Sequence, residues 1–202
     1  MDLRAGIDLG GTKIEGVLLD DDLRPRWRRR IPTESEGGYD HVLARIGSLV
    51  AEMRREAPGL ERIGVGTPGA LSRRGGGIRN SNTRCLNGRP LRDDLARALG
   101  LEVRLENDAN CFALAEALAG AGRGARVLFG VILGTGVGGG IVVDGGVWQG
   151  PQHIAGEWGH HRIDPAGPEC YCGRRGCVEA FLSGPALERQ YRERGGAPLS
   201  LA

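Results

Sequence analysis

Between Gly156 and Glu179 the chain reads GEWGHHRIDPAGPECYCGRRGCVE, and no other stretch limits its fold as tightly. One histidine and three cysteines (His160, Cys170, Cys172 and Cys177) crowd into it, with the carboxylates Glu157 and Glu179 at its two ends. Four nitrogen and sulfur donors in a Cys3His set suit a borderline-soft cation in tetrahedral coordination, which describes a structural zinc site. Cys170 and Cys172 are separated by Tyr171 alone, so both thiolates can face one side of a short turn. Gly173 and Gly176 then let the backbone double back to Cys177. Such cysteines could instead be small buried hydrophobes or a stray disulfide. A CxCGxxGC run with an upstream histidine nevertheless reads as a metal knuckle rather than a disulfide framework. A closed four-ligand site leaves no coordination position for substrate, so the expected metal clamps a loop and the chemistry lies beside it.

The rest of the chain is ordinary in bulk. At 202 residues and 40% hydrophobic it is long enough for one or two globular domains. A net charge of +2 gives no electrostatic footprint for nucleic acid. The basic residues are arginines except Lys13, and the cluster Arg26, Arg28, Arg29, Arg30 reads as a solvated strand face. The apolar run Val127 to Val143 is interrupted by glycines and Thr135 and is too short for a membrane span. Met1-Asp2-Leu3-Arg4 carries no signal-peptide pattern, and three metal-ligating thiolates fit a reducing cytoplasm. Cys85 and Cys111 are expected to be packing residues. The 36 glycines cluster in turns between apolar runs, where backbone approaches a ligand closely.

In chain order, Ala5 to Leu9 reads as a buried strand, Gly10-Gly11-Thr12-Lys13 as a turn, and Ile14 to Leu19 and Arg26 to Ile31 as two further strands. A glycine turn with a threonine hydroxyl can cradle phosphate oxygens, and Asp8 at the first strand's end can hold Mg2+ through water. Tyr39 to Glu56 carries Val42, Ile46, Leu49, Val50 and Met53 on one helical face. Ile63 to Gly66 is a short strand leading into Thr67-Pro68-Gly69, and Ile78 to Asn82 ends in the polar cluster Asn80-Ser81-Asn82. A helix is expected over Pro90 to Leu99, with Gly100 past its end. A strand over Leu101 to Leu105 runs through Glu106-Asn107-Asp108 into a helix over Ala109 to Ala119. Asn107 or Asp108 alone would be read as a helix cap. Val127 to Leu133, a glycine-rich turn from Gly134 to Gly139, and a return strand over Ile141 to Val143 form a second phosphate-type hairpin. Because a strand follows those glycines, a dinucleotide fingerprint is excluded.

Taken together, DLGGTK, the Pro-Gly at 68–69, ENDAN, GTGVGGG, GEWGH and CYCGRRGCVE resemble, in order and spacing, the ROK family of repressors, open reading frames and sugar kinases. The resemblance covers residue 5 to about residue 195 and implies an α/β, actin/hexokinase-like ATPase fold, ribonuclease H-like, in two domains, 1–118 and 119–202. The second domain is expected to be incomplete, because family members are considerably longer. The resemblance makes Asp108 the general base toward a sugar hydroxyl and Gly69, Asn82, Asn107, Glu157, His160 and Glu179 the other sugar-binding groups. It makes His160, Cys170, Cys172 and Cys177 the zinc ligands. Gly10, Gly11, Thr12, Lys13, Thr135 and Gly136 become the ATP phosphate turns, with Asp8 beside Mg2+. Phosphoryl transfer is mostly positioning and electrostatics, so two glycine hairpins, a metal and one base suffice. No room precedes Asp8 for a DNA-binding helix-turn-helix, which favours the kinase branch. An ATP-dependent hexose kinase acting at the 6-hydroxyl is expected, with fructose first and N-acetylglucosamine or glucose next. A non-catalytic sugar-sensing regulator is the alternative. The implied partners are sugar and ATP, with no nucleic acid and no membrane, in a homodimer. The 202-residue chain by itself is expected to bind ATP weakly, with the apolar face of the Val127 to Val143 hairpin uncovered.

Overall fold

The computed structural model describes residues 3–72 and 75–198. Its contacts divide the chain into two compact units, one ending at Asp108 and the other starting at Ala109.

In the first unit, β1 (Arg4–Leu9), β2 (Lys13–Leu19) and β3 (Pro25–Pro32) form an antiparallel meander. Helix α1 (Tyr39–Glu56) follows, then β4 (Arg62–Thr67), the short hairpin β5 (Ala70–Leu71) and β6 (Ile78–Arg79), α2 (Leu91–Leu99) and β7 (Glu102–Asn107). The main sheet has the order β3-β2-β1-β4-β7, with β1, β4 and β7 parallel to one another. Alternation explains the strands: Ile7 and Leu9 of β1 and Ile14 and Leu18 of β2 are buried while their neighbours are not. The α1 stripe Val42, Ile46, Leu49, Val50 and Met53 is buried on this sheet, as its 3.6-residue spacing requires. Gly16 makes the close fit possible, since a Cβ there would meet the Leu49 side chain at 3.0 Å. Helix α2 buries Leu91, Leu95 and Leu99 and stops at Gly100, which takes the left-handed conformation with φ of 62°. At the sheet edge, Arg28 and Arg30 pair with Glu15 and Arg29 with Glu52, a row of charge that discourages pairing with a further strand. Cys85 packs against this core, as expected.

Strand β7 passes into α3 (Asp108–Ala119) with no intervening residue. The compact units therefore divide earlier than the 118/119 boundary expected from sequence, because α3 beyond Asp108 lies with the second unit. There β8 (Val127–Leu133), β9 (Val137–Val143) and β10 (Gly146–Val147) form an antiparallel sheet in the order β10-β9-β8. The glycines of β9 correct the sequence reading. The turn is confined to Gly134–Gly136, and Gly138, Gly139 and Gly140 are paired strand residues. A Cβ at Gly140 would meet the Ala109 carbonyl at 2.7 Å and the Ala113 Cβ at 2.9 Å, and one at Gly130 would meet the Ala113 Cβ at 2.9 Å. These glycines admit α3 onto the sheet rather than wrapping a ligand. On β8, alternate residues Val127, Phe129, Val131 and Leu133 are all exposed, so the hairpin's apolar face is open as expected.

The segment after β10 is built of turns and two isolated bridges, Arg162 with Cys177 and Glu169 with Arg175. It ends in α4 (Glu179–Leu182) and α5 (Gly184–Glu193), the latter capped by Ser183, whose hydroxyl accepts from the Ala186 N–H at 3.3 Å. Among the described residues no helix is long and apolar enough to cross a membrane.

Candidate functional site

In the first unit the three parallel strands bring separate motifs to one edge of the sheet. Asp8 lies opposite Gly66 in the register of β1 and β4, and Thr67 lies opposite Asn107 in that of β4 and β7. Asp8, Thr67-Pro68-Gly69 and Asn107-Asp108 thus stand together at the carboxyl ends of adjacent strands, where open α/β sheets bind their ligands. Asn107 donates from Nδ2 to the Gly69 carbonyl at 3.0 Å. Gly69 has φ of 88°, and a Cβ there would lie 2.5 Å from the Arg79 carbonyl, so only glycine fits. Asp108 is the first residue of α3, half-buried, where helix N–H groups are not yet paired within the helix.

The GGT turn is exposed from Gly11 to Lys13. Gly10 uses its N–H inside the hairpin, on the Lys13 carbonyl at 2.9 Å, and Thr33 braces the turn by donating its hydroxyl to the Gly10 carbonyl at 2.7 Å. Gly10 is therefore a structural member of the turn, and Gly11 and Thr12 present its outer surface. Asn82 lies exposed beside Thr83, whose Oγ1 is 3.5 Å from where a Gly11 Cβ would be. Across the β1–β2 pair Asp8 faces Glu15, a carboxylate that motif reasoning passed over. Burial first, then Glu15, raise the Asp8 pKa from its ordinary value, with Arg30 opposing. Glu15 is itself paired with Arg28 and Arg30, so the carboxylate of Asp8 is the one left at this end of the strand pair without an ion pair among the described residues.

In the second unit, Thr135 is exposed at the tip of the β8–β9 hairpin, and Gly136 lies against Glu179. Glu179, buried at 8% exposure, accepts the Val137 N–H on Oε2 at 2.9 Å. A Cβ at Gly136 would come within 2.8 Å of that same oxygen, so the turn needs glycine to make room for the carboxylate. Glu157 is exposed and follows Gly156, whose φ is 89° and whose Cβ would strike the Gly139 carbonyl at 2.6 Å. Trp158 holds this segment on β9 by donating Nε1–H to the Gly138 carbonyl at 2.8 Å, and its ring meets Phe129 edge to face.

The ligand atoms of His160, Cys170, Cys172 and Cys177 all lie within 4.8 Å of one another. A tetrahedral ion with metal–sulfur bonds of about 2.3 Å and a metal–nitrogen bond of about 2.0 Å holds S···N near 3.5 Å and S···S near 3.8 Å. The Cys170 Sγ to His160 Nδ1 distance is 3.5 Å and the Cys172 Sγ to Cys177 Sγ distance is 3.7 Å. Both fit a tetrahedral N/S3 site, whereas a disulfide requires about 2.05 Å between sulfurs. The fit assigns Nδ1 as the histidine ligand. A hydrogen bond from Arg174 pulls the Cys172 thiol down to about 7, and burial pushes the Cys170 thiol up to about 11. Sequence reasoning did not find Arg174, Tyr171 or the Val137 N–H. The first two sit in plain view between ligands, and the third is a backbone group with no sequence signal.

The family model described as "ROK family" matches residues 4–200. The N-acetyl-D-glucosamine kinase of Yersinia pestis bv. Antiqua (strain Nepal516) is 40% identical over 196 residues, covering 92% of this chain and 76% of that protein. A ROK hexokinase from Thermus thermophilus is 39% identical, with a TM-score of 0.82 over 98% of this chain and 66% of that one. A ROK family glucokinase from Streptomyces griseus, solved in complex with glucose and AMPPNP, is 33% identical, with a TM-score of 0.83 over 96% of this chain and 61% of that one. The chain thus spans about two thirds of the length of the structures it matches.

Proposed function

The chain belongs to the ROK family and has its α/β actin/hexokinase-like ATPase fold, and from that premise we propose that it serves an ATP-dependent hexose kinase. The observation that carries this is the gathering of Asp8, Gly69, Asn107 and Asp108 at the carboxyl ends of three adjacent parallel strands. Asp108 acts as general base, taking the proton from the sugar hydroxyl as that oxygen bonds to the terminal phosphorus of ATP and the bond from that phosphorus to the β,γ-bridging oxygen breaks, releasing ADP. A carboxylate is adequate for a neutral alcohol when the two oxygens are within hydrogen-bond reach. Asn107, fixed by the Gly69 carbonyl, orients the sugar beside it. By the family resemblance, Asn82 of the first unit and Glu157, His160 and Glu179 of the second would serve the sugar, and Gly11 and Thr12 of the first and Thr135 and Gly136 of the second would serve phosphate oxygens. Mg2+, with Asp8 near it, would neutralise charge developing on those oxygens.

His160, Cys170, Cys172 and Cys177 would hold Zn2+ as a cross-link, which fixes the loop that carries Glu157 and Glu179. N-acetyl-D-glucosamine or glucose is placed ahead of fructose. The substrate order read from sequence rested on the similarity of a few segments, and the relatives at 39–40% identity bear the name N-acetyl-D-glucosamine kinase. A coupled assay of ADP release against N-acetylglucosamine, glucose, mannose and fructose tests the proposal. Phosphorylation of N-acetylglucosamine or glucose with the highest kcat/KM supports it, and sugar binding without ADP release would favour a regulator instead.

A further inference from the structure

Thr33 belongs to none of the motifs assigned to ATP and lies 23 residues after Gly10, yet it reaches the GGT turn twice. It is fully buried, with 0% of its surface exposed. Its hydroxyl donates to the Gly10 carbonyl at 2.7 Å, and its N–H donates to the Thr12 carbonyl at 3.0 Å. The two carbonyls on either side of Gly11 are thus tied back to one interior residue. Helix α1 holds the neighbours of that residue. Arg45 donates from Nε and Nη2 to the Pro32 carbonyl at 3.1 and 3.0 Å. His41 Nε2 lies 2.8 Å from Oε2 of Glu34, whose backbone takes the left-handed conformation with φ of 53°.

These bonds decide what the turn offers to an anion. A peptide group is planar and trans, so its N–H points away from its C=O. The Gly10 carbonyl is directed at the Thr33 hydroxyl, and the Gly11 N–H of the same peptide is therefore directed the opposite way. Thr33 is interior and Gly11 is exposed, so that way leads outward. Turning this peptide over changes ψ of Gly10 and φ of Gly11, and glycine tolerates the values on both sides of the flip. Two successive glycines leave the direction of the N–H unset, and a turned-over peptide would show a phosphate a carbonyl oxygen instead of a donor. The bond from the Gly10 N–H to the Lys13 carbonyl lies on the preceding peptide and does not oppose the flip. The Thr33 hydroxyl opposes it directly, because its bond to the Gly10 oxygen would break.

We propose that Thr33 is a positioning residue of the phosphate turn, its hydroxyl holding the Gly10–Gly11 peptide so that the Gly11 N–H faces a phosphate oxygen of ATP. The proposal rests on the reading of Gly11 and Thr12 as phosphate contacts. Its test pairs two substitutions. Thr33→Val keeps the shape and the backbone bond to Thr12 and removes the hydroxyl, and Thr33→Ser keeps a hydroxyl. In the full protein with Mg2+ present, Thr33→Val raises the Kd for a non-hydrolysable ATP analogue and the KM for ATP about 5- to 10-fold, the worth of one hydrogen bond. Hexose affinity in Thr33→Val, and both affinities in Thr33→Ser, stay within about 2-fold of the unsubstituted protein. A fold loosened in general would weaken analogue and hexose alike. Heteronuclear NMR of the unsubstituted protein gives a reading that needs no variant: the Gly11 amide resonance moves on addition of the analogue and not on addition of hexose. Analogue affinity unchanged by Thr33→Val, an equal loss in Thr33→Ser, a matching loss of hexose affinity, or a Gly11 resonance indifferent to the analogue would each overturn the proposal. Any of these in a protein that binds the analogue sinks this inference alone. Absence of analogue binding by the unsubstituted protein sinks the ATP reading with it.

Discussion

Stripping the metal from the Cys3His cluster should melt the stretch from Gly156 to Glu179 and leave the first unit intact. The stretch has almost no core of its own: Cys170, Cys177 and Ala180 are its buried cluster, with Cys172 packed against them. Fixing some twenty residues costs on the order of 20 kcal/mol at ~1 kcal/mol each. Its backbone hydrogen bonds, among them Cys170 N to Arg174 O, Gly176 N to Pro168 O, Val178 N to His161 O and Glu179 N to Gly159 O, hold the turns together. At about 1 kcal/mol each, together with the few small buried side chains, they return on the order of 10 kcal/mol. The shortfall, on the order of 10 kcal/mol, is the size of the apparent free energy of structural zinc at neutral pH, about 10–16 kcal/mol. Hydrogen exchange read by mass spectrometry, before and after chelation, measures this directly. Amides of Cys170, Gly176, Val178 and Glu179 should lose protection on chelation while those of β1 and β4 keep it. Cys172→Ser should reproduce the pattern without chelator. Protection that persists after the metal has been removed would refute the reasoning, and so would a protein purified without chelator that contains no zinc.

Other consequences are separable by assay. Asp108→Asn keeps shape but loses the proton acceptor, so kcat should fall ~10^2- to 10^4-fold with hexose binding far less affected; near-normal kcat would remove Asp108 from the role. Asp8 has a raised pKa in the folded chain, so its stabilising contribution is present below its ordinary value of 3.8 and is lost as pH rises through the raised value. Asp8→Asn should therefore raise Tm at pH 7 while abolishing turnover, with the two melting curves converging near pH 3; a lower Tm at pH 7 contradicts the sign. Gly140→Ala drives a methyl to 2.7 Å from the Ala109 carbonyl and should destabilise the second unit by ~1–3 kcal/mol, seen as a drop of several degrees in its Tm.

The helices and strands that sequence described well are those whose burial repeats with a simple period. Helix α1 runs over Tyr39–Glu56 as read, because its apolar stripe and the Pro58-Gly59 stop are both local signals. The glycines of β9 were misread because a run of glycine looks like a turn. Only the approach of Ala109 and Ala113 from α3 explains why they lie in a strand. Helix α5 passed unnoticed although Ser183 ahead of Gly184-Pro185 is a readable start signal. In the candidate site, His160 and the three cysteines were legible because ligand chemistry restricts both residue type and spacing. The bond between Asn107 and Gly69 joins residues 38 apart in sequence, and that from Val137 to Glu179 joins residues 42 apart through a backbone donor. Neither has a local pattern. They exist because strand register in one unit and the fold of the loop around the Cys/His cluster in the other bring distant segments together.

The contact of Glu179 with the Gly136-Val137 backbone has a consequence for how such a protein can change over time. One carboxylate oxygen rests on the turn assigned to phosphate and fills the space where a side chain at 136 would be. Residue choices at 136 and 179 are therefore epistatic. A substitution at 136 that adds a side chain must displace the Glu179 carboxylate, so under the proposed roles a change on the donor side also moves a group on the sugar side. If those roles hold, side chains at 136 should be tolerated best in clones where 179 varies as well.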